Sequence, residues 1–213
     1  AGIYYPFTAR QTGPQTRVKH SLLRFCPFEL GEIPANLRTI FELDNLPHDR
    51  PVSDYLDQML ARELKDIAPD TNVVFSDEDI FLSNHEGLPA ALLGLLGRHF
   101  EDIRIWVYLR RPDSYIKSYY SQYLKQGGTE KLAQFQRRIA GGKQFFDRLK
   151  PWANLLGTHQ IDVFPFDRAL QKKPDIVDDF MVRLGVSAEK LPTEKRNNSL
   201  SAAGMSLLRQ SNR

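Results

Sequence analysis

Three short runs rich in apolar and β-branched residues, at 72–76, 103–109 and 160–164, alternate with stretches of helical periodicity. This alternation constrains the fold more than any other feature. Strands that recur with helices between them pair in parallel, and a parallel sheet buries both of its faces under helices. The most regular run is Ile103-Arg104-Ile105-Trp106-Val107-Tyr108-Leu109. Residues 6–16, with Gly13 and Pro14, read as a loop, and Thr16 is placed to cap a helix carrying Val18, Leu22, Leu23 and Phe25. The stretch with Pro34, Pro47 and Pro51 is irregular. Ser53 or Asp54 then starts a helix in which Tyr55, Met59, Leu60 and Leu64 repeat at helical spacing. Further helices are predicted over 88–100, from Pro112 to Gln126 with a stop at Gly127-Gly128, within 130–156, over 175–184 and over 201–209. The expected fold class is α/β, three layers in the order α/β/α around a mostly parallel central sheet. A single domain over 1–213 is expected, with a helical and irregular part at 1–70 and an α/β part at 71–213.

A chain of 213 residues with 41% hydrophobic and 26% charged residues can bury a core, which excludes disorder as the whole answer. The 29 Lys+Arg against 26 Asp+Glu leave +3, too little to point to a nucleic-acid partner. The longest apolar stretch, 88–96, is broken by Pro89 and Gly94 and falls short of the ~18 residues a membrane span needs. The opening Ala1-Gly2-Ile3-Tyr4-Tyr5-Pro6 has no basic segment followed by an apolar one, so it does not read as a signal peptide. Cys26 is the single cysteine and cannot form an intramolecular disulfide, which points to a reducing, cytoplasmic setting. The histidines show no ligand spacing, so no metal is expected.

The charge distribution says more than the net charge. Arg104, Arg110, Arg111, Lys117 and Lys125 form one basic cluster, and Lys190, Lys195 and Arg196 another. Such clusters are either solvated faces or sites for a small anion. In the segment from Val107 to Tyr120, a buried strand ends on Arg110 and Arg111, Pro112 opens a helix, and Ser118 follows about two turns later. A guanidinium can hold a phosphate through two hydrogen bonds, a hydroxyl can add a third, and the helix N-terminus contributes favourable partial charge.

A strand ending in Arg, then x-Pro, then a Ser eight residues after the Arg and aromatics beyond it, resembles the 3′-phosphate-binding motif of sulfotransferases that use 3′-phosphoadenosine 5′-phosphosulfate (PAPS). The resemblance implies that Arg110 and Ser118 grip the 3′-phosphate of the nucleotide. Other stretches agree in order. Val74-Phe75-Ser76-Asp77-Glu78 resembles the family's strand ending in Ser-x-Glu. Val163-Phe164-Pro165-Phe166-Asp167 resembles its later strand ending in an aromatic and an acid. Arg196-Asn197-Asn198-Ser199-Leu200-Ser201 resembles a loop before the final helix in bacterial-type members. Together these cover about residues 70–213. They imply a P-loop NTPase-like sulfotransferase architecture, with Arg196 and Ser199 closing over the nucleotide. The family's loop for the 5′-phosphosulfate, of the type Lys-x-Gly-Thr-Thr, has no match in these 213 residues. That loop, its strand and the first helix are expected upstream of Ala1, and on that expectation the chain would be a fragment. A natural protein without the loop would be an inactive relative.

The implied reaction moves a sulfonate from PAPS to a hydroxyl or amine of a carbohydrate, lipid or small-molecule acceptor, releasing 3′-phosphoadenosine 5′-phosphate (PAP). A base must take the acceptor's proton. His20, after a polar loop, and Glu78, after a strand end, are the candidates. Their alternative readings are a surface histidine on an amphipathic helix and a helix N-terminal acid. Two other functions stay open: a small-molecule kinase relative, which would want a GxxxxGK[ST] loop that is absent, and a non-catalytic module for an anion or glycan.

Overall fold

In a computed structural model of the chain, the structure describes residues 2–10, 19–140, 145–167, 175–186 and 200–212. In chain order the elements are β1 (Ile3–Tyr4), α1 (Ala35–Ile40), α2 (Val52–Leu64), β2 (Asn72–Val73), α3 (Asp79–Leu82), α4 (Leu88–Leu96), β3 (Ile105–Leu109), α5 (Pro112–Lys125), α6 (Leu132–Ala140), α7 (Phe145–Leu156), β4 (Ile161–Pro165), α8 (Ile176–Arg183) and α9 (Ala202–Ser211). The chain divides into two compact units, residues 1–104 with 144–160 and residues 105–143 with 161–213.

The first unit is built around aliphatic side chains. In α2, Val52, Leu56 and Leu60 recur every four residues and all are 0% exposed. They form one helical stripe, and each such burial contributes about 1.5–3 kcal/mol. Tyr55 and Met59, expected on the buried face, are half-buried beside it. Leu88, Leu92 and Leu95 of α4, Trp152 of α7, and Leu22, Leu23 and Cys26 are also buried. The helix expected from Thr16 is a 3-10 turn over Ser21–Phe25 in its described part, and Thr16 itself lies outside the described residues. The His20 N–H donates to Ser76 O at 2.9 Å, and this link to a distant segment takes the place of a helical bond.

β1 and β2 pair in parallel, Ile3 opposite Asn72 and Tyr4 opposite Val73. The run expected as a strand over 72–76 stays short because its partner is short. Val74 N–H still reaches Tyr4 O at 2.9 Å, but Pro6 has no N–H to continue the ladder. Two helices, α1 and α3, lie where no helix is expected from the sequence.

The second unit holds β3 and β4, parallel and in register from Ile105 opposite Ile161 to Leu109 opposite Pro165. Phe166 N–H donates to Leu109 O at 2.8 Å, the ladder bond that follows the Leu109–Pro165 pair. Tyr120 and Leu124 of α5 and Phe135 of α6 are buried together, with Met205 and Leu208 of α9 packed against them. The rings of Tyr119, Tyr120 and Tyr123 all lie against Phe135. α5 stops where Gly127 takes φ +90°, the left-handed conformation glycine adopts without strain. A Cβ on Gly128 would fall 2.3 Å from the Tyr123 ring, so a side chain there displaces that ring. Asn212 Nδ2 donates to Leu124 O and Gly128 O at 2.8 and 2.9 Å, tying the end of α9 to the end of α5.

The described residues are therefore mixed α/β with parallel strand pairs, as the alternation of strands and helices predicts. The described strands form two separate two-stranded sheets rather than one continuous ladder.

A buried polar triad ties α8 to β3 within the second unit. Asp179 is 0% exposed and accepts from Tyr108 Oη at 2.8 Å and from Arg183 Nε at 2.6 Å. Arg183 lies 4.0 Å over the Phe164 ring of β4. Burial, helped by the bond to Asp179, pushes the Tyr108 hydroxyl up to about 12. Asp179→Ala leaves Arg183 without its counter-charge, and breaking such a pair costs about 3–5 kcal/mol. Urea unfolding followed by circular dichroism should show a loss of that order, whereas Val163→Thr, at a position 51% exposed, should change stability by less than about 1 kcal/mol.

Candidate functional site

The carboxyl ends of β3 and β4 are where a parallel α/β unit positions ligands. Two arginines leave β3 there, and the structure treats them differently. Arg111 is exposed and pairs with Asp113 at 3.3 Å. Arg110 is half-buried, its guanidinium carbon 4.2 Å from the centre of the Phe166 ring, and it pairs with no carboxylate among the described residues. The aromatic face holds the guanidinium plane while leaving its N–H groups at the edge. Phe166 is itself held by its N–H to Leu109 O. The same two strand ends thus supply the cation and the ring beneath it.

Pro112 occupies the first turn of α5, where a missing N–H costs nothing, and no side chain caps that end. Ser118 sits half-buried near the end of the second turn. Arg110 and Ser118 therefore flank the start of one helix. Arg196 and Ser199 lie outside the described residues.

The two expected bases lie in the first unit, in unlike surroundings. His20 is 0% exposed. Its Nδ1 accepts the Ser76 N–H at 3.0 Å, so the proton is on Nε2, which donates to Pro6 O at 3.0 Å. Tyr5 and Phe75 meet the ring edge-on at 4.5 and 5.1 Å. Burial lowers the imidazole's affinity for a proton, against the opposing effect of its backbone bonds, and the Arg10 charge lowers it further. The ring is neutral, has both nitrogens engaged, and joins three chain segments.

Glu78 precedes α3, with its side chain 77% exposed and 3.2 Å from Lys19 Nζ. Lys19 and Arg24 both pair with the neighbouring Asp79 at 2.8 Å. Glu78 is the candidate base whose carboxylate is open to solvent.

The sequence reading missed Glu63 of α2. Its carboxylate accepts from Tyr4 Oη at 2.6 Å, from the N–H groups of Phe7 and Thr8 at 2.5 and 2.8 Å, and from Thr8 Oγ1 at 2.5 Å. These bonds outweigh burial and hold the carboxyl below its usual range. No periodicity or motif signals this, because its partners are more than fifty residues away in the chain.

Among the described residues, no group of three or more His, Cys, Asp and Glu comes together to hold a metal ion, and no helix is long and apolar enough to cross a membrane. Comparison of the chain with protein-family models, with curated proteins and with solved structures finds no match.

The His20 geometry has a measurable consequence. The folded ring resists protonation relative to the unfolded value of about 6.5, so the unfolded chain takes the proton first. The stability contributed by His20 is complete above about pH 6.5 and falls as the pH drops through that value. His20→Asn should cost about 1–3 kcal/mol at about pH 7.5, and the gap to wild type should narrow at about pH 5.5. Urea midpoints for both proteins at the two pH values measure this, and a gap that widens on acidification contradicts a neutral buried ring.

Proposed function

We propose that this chain is a sulfotransferase domain that uses PAPS and sulfonates a hydroxyl or amine of a carbohydrate, lipid or small-molecule acceptor. The observation that carries the reading is Arg110, stacked on Phe166 at the carboxyl end of a parallel strand pair and without an acidic partner among the described residues. A guanidinium so held is suited to a phosphate. The Pro112-led helix with Ser118 on its second turn supports the same reading, as does the ordered set of stretches over residues 70–213. The finer architecture belongs to this proposal: a three-layer, P-loop-like domain around one mostly parallel sheet.

In this reading Arg110 forks onto two oxygens of the 3′-phosphate and Ser118 donates a hydrogen bond to the same group. Arg196 and Ser199, which the resemblance also assigns to the nucleotide, lie outside the described residues. The residues present fit the 3′-phosphate end of the nucleotide, and a loop of the Lys-x-Gly-Thr-Thr type for its other end has no match in the sequence. Bound PAPS supplies the sulfonate, which passes to the acceptor by in-line displacement. The acceptor's proton goes to a carboxylate or imidazole base. Glu78 fits that role better than His20 because its oxygens face solvent, while His20 keeps Pro6, Ser76 and its own segment in place. Cytoplasmic placement is part of the proposal and is supported by the single cysteine, Cys26, whose thiol burial pushes up to about 12 and out of reactive range.

Calorimetric titration of the chain with PAP, with AMP as control, tests the reading. PAP should bind more tightly than AMP. Arg110→Ala should lose about 10- to 150-fold in PAP affinity and Ser118→Ala less, both with an unchanged circular dichroism spectrum. Equal affinity for PAP and AMP, or for PAP in wild type and Arg110→Ala, overturns the assignment.

A further inference from the structure

Among the described residues, a second arginine that stands on aromatic rings without a carboxylate partner lies in the first unit. The guanidinium carbon of Arg10 is 4.5 Å from the centres of both the Tyr5 and the Phe7 rings. One terminal nitrogen, Nη2, donates to Tyr5 O. Arg10 pairs with no carboxylate among the described residues. Its Nε is shielded from solvent without a hydrogen-bond partner.

The backbone explains why this arginine has no carboxylate partner among the described residues. The carboxylate nearest in the loop's own hydrogen-bond network is Glu63, and it receives Tyr4, Phe7 and Thr8 instead. Those bonds turn the chain sharply after β1, so that Ala9 adopts φ +66° and its carbonyl accepts Leu22 N–H at 3.2 Å. Thr8 and Ala9 are buried by the turn, whereas Phe7 is turned outward and is 73% exposed. A large aromatic ring held in solvent beside a cation with no carboxylate partner among the described residues has unmet demand of two kinds: apolar surface to cover, and a positive charge to answer.

We infer that Arg10 and Phe7 form a subsite for a carboxylate-bearing sugar, the pyranose ring lying on Phe7 and the carboxylate pairing with the charge of the Arg10 guanidinium. A uronic acid fits both demands at once, since it carries an apolar C–H face and a monoanionic carboxylate on one small ring. As the acceptor-side subsite of a sulfotransferase this inference rests on the function proposed above; as a binding site it does not.

The probe is methyl β-D-glucuronide, with methyl β-D-glucoside as the uncharged control, titrated into the full chain and followed by NMR shifts of the protein. The glucuronide should bind about tenfold more tightly than the glucoside. Arg10→Gln should abolish that preference, Arg10→Lys should keep part of it, and Phe7→Ala should weaken both sugars. Thermal midpoints report whether each variant keeps the loop folded. If Arg10→Gln unfolds, Phe7→Ala alone still decides, because Phe7 is exposed and its loss leaves the core intact. Equal binding of the two sugars, or no binding of either, overturns the subsite. PAP titrated into the same samples separates the two proposals. PAP binding without glucuronide preference sinks only the subsite. Glucuronide preference without PAP binding keeps the subsite and removes its acceptor role.

Discussion

Glu63 and His20 hold the irregular opening of the chain to its regular elements, and the geometry of the first unit depends on them. β1 has two residues and can contribute little ladder of its own. What keeps the following turn in place is a carboxylate with four donors and a neutral imidazole bonded on both nitrogens. Both groups are short polar links between segments distant in sequence. His20 is 0% exposed, where a satisfied hydrogen bond is worth more and an unsatisfied one costs more, and half-buried Glu63 gains from the number of its donors.

The second unit uses the same device. Asp179 is buried with a tyrosine hydroxyl and an arginine as partners, and Arg183 in turn covers Phe164. Against that background of matched charges, Arg10 and Arg110 stand out. Each rests on aromatic faces, which hold a guanidinium without neutralising it. An aromatic support keeps an arginine oriented and charged, and that is the condition for binding an anion from solution. Arg111, one residue along from Arg110, shows the contrast: it is exposed and answered by Asp113.

Much of the fold was legible in the residues. Ile105 to Leu109 read as a strand because its residues are β-branched, aromatic or leucine without a break, and α5 read as a helix because Pro112 opens it and Gly127 closes it. Arg110 and Ser118 could be named beforehand because strand ends and helix starts are local signals, whereas the Phe166 ring beneath Arg110 came only with the packing. The parts that were not legible are non-local. The short helices α1 and α3 lack a full amphipathic repeat, so no periodicity announces them. The curtailed β2 depends on the length of its partner and on Pro6. His20 looks, as a residue, like a group that could face an acceptor. Its surroundings are set by Pro6 and Ser76, which lie far from it in the chain.

The sequence by itself determined the alternation of the longer strands and helices, the parallel sense of strand pairing, and the clustering of basic residues near a strand end. These follow from spacing along the chain, which hydrophobic periodicity and turn residues record directly. Only the tertiary structure decided which charges are answered and which are left open. Arg111 found Asp113, Lys19 and Arg24 found Asp79, and Glu63 was taken by the turn after β1, while Arg10 and Arg110 were set on aromatic rings. The reason is that pairing depends on distances of a few ångströms between side chains, and such distances are created by packing rather than by position in sequence.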